Sequence, residues 1–230
     1  MIVLIPAWNE EERLPALLDR ARAALPDATL LVVDDGSADG TAAAATAHGA
    51  HVVSHSFNMG YGAAIQTGYK WALARGVDLL VQIDADGQHD PGQIERLAAP
   101  IRAGECDLVL GSRFLEETGC AMSGLQTLGR KVFERLARFA GVSVTDPTTG
   151  FQAMNRRALE LYALDFFPAD YPDVDVLVVA ARAGLRIGEC TTEMAESPRA
   201  STLHGGLRSF YYVYKMLLSL WAASARGGMR

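Results

Sequence analysis

Cysteine is scarce in this chain: Cys106, Cys120 and Cys190 are the only three in 230 residues. An odd number at wide spacing fits neither a disulfide framework nor a zinc pattern, and suits a reducing, cytoplasmic compartment. No uninterrupted apolar run reaches the ~20 residues that span a bilayer. The first residues lack a basic segment followed by an apolar one, so a secretory leader is not expected. No Gly-x-Gly-x-x-Gly follows the first apolar run and no Walker lysine loop occurs anywhere, which argues against a dinucleotide-binding Rossmann protein and a P-loop enzyme. A formal net charge of -6 argues against nucleic acid as a partner. Acid is missing from one region altogether: beyond Glu196 there is no Asp or Glu, while Arg199, Arg208, Lys215, Arg226 and Arg230 remain.

What is present is an alternation of short apolar runs, polar turns and amphipathic stretches, half of all residues being hydrophobic. Strands are expected at Met1 to Pro6, Thr29 to Val33, His51 to Ser54, Leu79 onward and Asp107 to Leu110. Helices are expected from Asn9-Glu10-Glu11-Glu12 to Leu25, up to about His48, and up to Ala74. This order predicts one compact α/β domain with a largely parallel sheet covered by helices on both faces. Further on, residues 125–139 have helical spacing with a basic face, Asp146 to Ala153 reads as a turn into a strand, and Arg157 to Leu161 as a short helix. Val174 to Ala183 reads as a helix and Leu185 to Met194 as a strand. Ligands of such sheets bind at the carboxyl ends of strands, near a topological switch point. That places Trp8 to Glu10, Asp34-Asp35, Asp84 to Gln88 and Arg113 around one crevice.

The stretch Leu79-Leu80-Val81-Gln82-Ile83-Asp84-Ala85-Asp86-Gly87-Gln88-His89-Asp90-Pro91 organises the chain. Strand alternation points Asp84 and Asp86 to one side, and two like charges so close call for a cation. Hard oxygen ligands beside an amide suit Mg²⁺ or Mn²⁺ bridging to phosphates; the alternative is a solvated acidic turn. His89 reads as a metal ligand or as a hydrogen-bonding neighbour of one.

Together, Ile5-Pro6-Ala7-Trp8-Asn9-Glu10-Glu11, Val33-Asp34-Asp35-Gly36-Ser37, Asn58-Met59-Gly60-Tyr61-Gly62-Ala63-Ala64, Asp84-Ala85-Asp86-Gly87-Gln88-His89, Gly111-Ser112-Arg113 and Thr149-Gly150-Phe151 resemble, in order, the motifs of family 2 glycosyltransferases. The likeness is greatest to the polyprenyl-phosphate, dolichyl-phosphate mannose synthase-like branch and extends to about Lys215. It implies a GT-A fold, a Rossmann-like three-layer sandwich with a mostly parallel central sheet, and metal-dependent, inverting transfer from a UDP- or GDP-linked sugar. Carried over by residue, the resemblance implies that Pro6, Trp8, Glu10, Val33, Asp35, Asp84 and Ala85 surround the donor nucleotide. It also implies that Asp84, Asp86 and Gln88 hold the metal, and that Arg113 and Arg130 hold the acceptor phosphate. Two departures stand out: Trp8 occupies a usual tyrosine position, and Ser197-Pro198-Arg199-Ala200-Ser201-Thr202 replaces an arginine followed by a Gly/Ser-rich loop, with Arg199 the substitute for that arginine.

A phosphate acceptor needs no general base, whereas a hydroxyl acceptor would need one, for which Asp173 and Asp175 are the candidates. A non-catalytic nucleotide-sugar-binding module is the other alternative. Residues 1–208 read as the catalytic domain and 209–230 as an amphipathic helix. That helix would lie in a membrane interface, placing the protein peripherally at the inner face, or pack on the core or on another subunit of a homo-oligomer.

Overall fold

The computed structural model describes residues 1–115, 143–170 and 172–194. Its strands are β1 (Ile2–Ala7), β2 (Thr29–Asp34), β3 (His51–Ser54), β4 (Leu79–Gln82), β5 (Leu108–Ser112), β6 (Gln152–Asn155) and β7 (Ile187–Thr191). Its helices are α1 (Leu14–Ala24), α2 (Thr41–Ala47), α3 (Tyr61–Ala74), α4 (Ile94–Arg102), α5 (Arg156–Tyr162) and α6 (Val174–Arg182). The strands form one sheet in the order β3-β2-β1-β4-β6-β5-β7. All pairs are parallel except those of β6, which runs antiparallel to both β4 and β5. β1 lies between β2 and β4, so the chain order reverses there and a crevice opens at the carboxyl ends of β1 and β4.

Side chains alternate across the sheet and divide the core in two. Val3, Ile5 and Ala7 of β1, with Leu30 and Val32 of β2, pack beside Leu14, Leu17 and Leu18 of α1 and Ile94 and Leu97 of α4. Ile2 and Leu4, with Leu31 and Val33, face Ile65 and Tyr69 of α3 and the apolar residues of α5 and α6. The result is three layers.

Three expectations change. The acidic triplet Glu10-Glu11-Glu12 does not open α1, which starts at Leu14. Asn9 adopts a left-handed φ of 55°. The Glu10 N–H donates to Thr41 Oγ1 at 2.9 Å, and the Glu10 carbonyl accepts from Arg13 and Leu14 N–H, so this segment is a loop clamped onto the β2–α2 turn. Second, β4 stops at Gln82, before either aspartate, so strand alternation does not place Asp86. Third, the strand expected from Leu185 to Met194 is confined to Ile187–Thr191. The 125–139 helix, Arg130, Arg199 and the 209–230 tail lie outside the described residues. Among the described residues no helix is long and apolar enough to cross a membrane.

At the sheet end far from the crevice, the buried Asp107 carboxylate accepts from the Arg186 guanidinium and backbone N–H, from Asn155 Nδ2 and from Arg157. The hydrogen-bonded Arg186 holds its carboxyl well below the usual carboxylate range. Such a depressed carboxyl stabilises the fold fully above its unfolded pKa, about 3.9, and loses that contribution as pH falls below it. The two arginine side chains are 54% and 55% exposed, so water screens them. Asp107→Asn should therefore cost about 2 kcal/mol at pH 7, less than a fully buried pair would. The deficit should shrink as unfolding is measured below about pH 4, where wild-type Asp107 loses its advantage.

Candidate active site

The crevice floor is set by β4 and the turn that follows it. Leu80 and Gln82 face α3, and Asp84 continues on that side, where its Oδ1 accepts from the Tyr61 hydroxyl at 2.9 Å. Its Oδ2 lies 3.7 Å from Nε2 of His89, whose buried ring stacks on Phe151 at 4.8 Å between centroids. Nδ1 of His89 has no hydrogen-bond partner among the described residues. Gly150 backs Asp84 on another side: a Cβ there would come within 2.4 Å of Asp84 Oδ2. Asp86 sits in the turn, its Oδ1 accepting from the Gln88 N–H at 2.9 Å. Burial pushes the Asp86 carboxyl above its ordinary value; the Gln88 N–H opposes this and the neighbouring Asp84 charge adds to it. Two crowded carboxylates, one of them partly desolvated, make a donor set that suits a hard cation. Among the described residues no group of three or more His, Cys, Asp or Glu side chains could hold an ion by itself, so a bound cation needs further oxygen ligands.

The sequence-predicted nucleotide residues converge on the neighbouring strand ends, in unequal ways. Trp8 is 54% exposed just after β1, and Phe57 and Met59 in the β3–α3 loop are also exposed. Pro6 and Val33 are paired across β1 and β2 and buried; the Val33 side chain belongs to the core, so a ligand would meet only its backbone. Ala85 is likewise buried in the core. Glu10 pairs with Arg13 at 3.3 Å. Asp35 is 3% exposed and already engaged: it accepts from the Met59 and Gly60 N–H groups, each at 2.8 Å, and meets Nδ1 of His55 at 2.7 Å. It thus fixes the β3–α3 loop from the end of β2.

The N-terminus of α3 is occupied by protein. Gly62 and Ala63 N–H donate to the carbonyls of Asp170 and Ala169, at 3.1 and 3.0 Å. That approach is open only to glycine, since a Cβ on Gly62 would fall 2.0 Å from the Pro168 carbonyl oxygen. These amides are therefore committed to the 168–170 segment rather than to an anion.

Arg113 follows β5 and forms a two-pronged pair with the buried Asp146, Nε to Oδ2 at 2.6 Å and Nη2 to Oδ1 at 2.8 Å. Asp146 is held in turn by Glu189 of β7, whose carboxylate accepts from the Asp146 N–H and from the Thr145 N–H and hydroxyl. Asp175 is buried at the start of α6, accepting from the Asp173 and Val176 N–H groups. Asp173 is close enough for its charge to act on the Tyr61 phenol, which burial and Asp84 push well above its ordinary value. Sequence reasoning assigned no individual role to Tyr61, Gln82, His55, Gly150, Asp146 or Glu189. Its usable signals were the motifs that contain Tyr61 and Gly150, and an amide, Gln82, inside an otherwise apolar run.

The sequence profile described as glycosyl transferase family 2 matches residues 2–162. The chain belongs to that family. Undecaprenyl-phosphate mannosyltransferase of Micrococcus luteus is 35% identical over 222 residues, covering 90% of this glycosyltransferase and 88% of that protein. Polyprenol monophosphomannose synthase of Mycolicibacterium smegmatis is 38% identical over 167 residues, covering 69% of this chain and 63% of that one. Among solved structures, glucosyl-3-phosphoglycerate synthase from Mycobacterium tuberculosis in complex with Mn²⁺ and UDP-glucose superposes with a TM-score of 0.72. It is 26% identical and covers 95% of this chain and 78% of that chain. The fold is that of the GT-A glycosyltransferases, and the sheet order places Asp84 and Asp86 at its switch point.

Since Gly150 leaves no room for a methyl group beside Asp84, Gly150→Ala should turn that carboxylate away. Glycosyl transfer should fall about 10- to 100-fold in kcat/KM, the range expected when a site group is displaced by an ångström or so. The melting temperature should change little, because the collision is with a side chain at the crevice edge.

Proposed function

We propose that this glycosyltransferase moves a sugar, with inversion, from a nucleotide diphosphate sugar to a polyprenyl phosphate, using Mg²⁺ or Mn²⁺. The observation that carries the donor half is the pair Asp84 and Asp86 just after β4 at the switch point, with no arginine or lysine side chain hydrogen-bonded to either among the described residues, and an exposed Trp8 following the neighbouring strand β1. Asp84, Asp86 and Gln88 would hold the cation, which supplies charge neutralisation of the departing diphosphate. Trp8 covers a face of the base, Asp35 accepts from a base N–H, and the backbone at Pro6 and Val33, with Glu10 and Ala85, completes the nucleotide pocket. UDP and GDP are both compatible with this reading. Complexes of the solved relative with Mn²⁺ and UDP-glucose support the metal and the diphosphate sugar.

The acceptor half is supported by the relatives named for undecaprenyl-phosphate and polyprenol substrates. A phosphate monoester is anionic at neutral pH, so its oxygen can attack the anomeric carbon from the far side without a general base. What the protein must provide is orientation and charge. Arg113 is held in one plane by Asp146 through Nε and Nη2, and its guanidinium is the proposed positive group for the acceptor phosphate. Arg130 is its proposed partner, and Arg199 is the proposed closing contact on the donor. Of the two candidate bases for a hydroxyl acceptor, Asp175 is buried and engaged in starting α6, so that alternative would fall to the half-buried Asp173. Residues 209–230 are proposed to form an amphipathic helix that docks the enzyme peripherally at the inner face of the membrane, where a lipid-linked phosphate lies. Five basic residues and no acid beyond Glu196 support an anionic surface, at about 1 kcal/mol for each basic residue that reaches it.

Asp86→Ala should abolish the Mn²⁺-dependent part of UDP or GDP binding in calorimetric titration and leave the fold intact; undiminished metal-dependent affinity would refute the assignment. With a short polyprenyl phosphate as acceptor, Arg113→Ala should raise the acceptor KM about tenfold or more, as expected for loss of a charge-assisted contact, and the donor KM little. The full chain should co-sediment with anionic vesicles at low salt, and truncation after Arg208 should remove this while sparing donor affinity.

A further inference from the structure

Behind Asp84 runs a chain of hydrogen bonds whose direction is dictated from its buried end. The Gly150 carbonyl can only accept, so the atom of Gln82 facing it at 3.0 Å is Nε2. That turns Gln82 Oε1 toward Tyr69, whose hydroxyl donates to it at 2.5 Å. The second hydrogen of Nε2 is donated to the Tyr61 oxygen at 2.8 Å. Tyr61 then has a single hydrogen to give, and Asp84 Oδ1 receives it at 2.9 Å. Gln82 is 1% exposed and Tyr69 1% exposed, so water offers no alternative partner and the amide cannot flip without orphaning the Gly150 carbonyl.

The consequence reaches the crevice. Asp84 is 30% exposed and, left to itself, would sample several rotamers in solvent. Tyr61 clamps one oxygen while Gly150 closes off the space beside the carboxylate, fixing where it points. We propose that Tyr61, oriented by Gln82 and Tyr69, is a positioning residue that holds the Asp84 carboxylate ready for the divalent cation of a nucleoside diphosphate. This rests on the donor-site reading above. Tyr61 does not touch the reacting atoms; it acts through Asp84, and its ring lies at the edge of the crevice, 37% exposed. Removing its hydroxyl leaves Gln82 bonded to Gly150 and Tyr69 and strands one buried Nε2 hydrogen, a stability cost that applies equally with and without metal.

The test is calorimetric titration of the full chain with UDP and with GDP, each with and without Mn²⁺, alongside thermal melting. Tyr61→Phe should reduce the Mn²⁺-dependent gain in affinity about tenfold, the size of one hydrogen bond to a charged group, with metal-free affinity unchanged and the melt still cooperative but at a lower temperature, because one buried Gln82 Nε2 hydrogen loses its acceptor. In an Asp84→Asn background the same substitution should cause no further loss, since the two residues act as one unit. The inference is overturned if Tyr61→Phe leaves the metal-dependent gain intact, if its effect adds in full to that of Asp84→Asn, or if affinity falls equally with and without Mn²⁺. A wild-type chain that binds neither nucleotide more tightly with Mn²⁺ would refute the donor reading itself. Metal-dependent binding lost in Asp86→Ala but retained in Tyr61→Phe would refute only the positioning role.

Discussion

A carboxylate taken out of water must be given donors, and the described part of this molecule is arranged around meeting that requirement unevenly. Asp107 receives two arginines, an asparagine and a backbone N–H; Asp146 receives the two-pronged Arg113; Asp35 receives two amides and an imidazole. At the switch point the supply is thinner. Asp84 has one phenol at hydrogen-bond distance and a histidine at 3.7 Å, and Asp86 has one amide, among the described residues. The charge left over is what makes this end of the sheet suited to a cation-bridged ligand rather than to a closed structural knot.

The polar groups of the surrounding loops tie those loops to one another. The 8–12 and 34–41 segments are tied together by Asn9 to Ser37 and Ala38, and by Glu10 to Thr41. The α3 N-terminus, which in many α/β proteins receives phosphate, is spent here on the carbonyls of residues 169 and 170. The diphosphate proposed for this end of the sheet would therefore draw its positive charge from a cation and from arginine side chains. Arg113 carries a further constraint: Glu189 on β7 fixes the 145–146 turn, Asp146 fixes Arg113, and an edge strand thereby determines the plane of a guanidinium at the site.

Much of this was legible in the residue order. Apolar runs of strand length between amphipathic stretches determined a layered α/β domain, and turn residues such as Gly87 and Pro91 marked where β4 had to give way. The motifs around Trp8, Asp35, Asp84 and Arg113 do fall at strand ends, because only strand-end loops can hold such polar groups without disrupting a buried sheet. Tertiary structure decided the rest. That β6 inserts antiparallel between β4 and β5 depends on pairing between segments some 70 residues apart in sequence, Leu79 with Asn155, which no local pattern encodes. The start of α1 at Leu14 was decided by contacts from Glu10 to Thr41, which outweighed the local attraction of an acidic triplet for a helix start. The relay from Tyr69 through Gln82 and Tyr61 to Asp84 joins side chains from α3 and β4, and only the packing of that helix on the sheet brings them within hydrogen-bond reach. Local pattern reports what a segment can become; which polar atoms find each other depends on distances set by the whole fold.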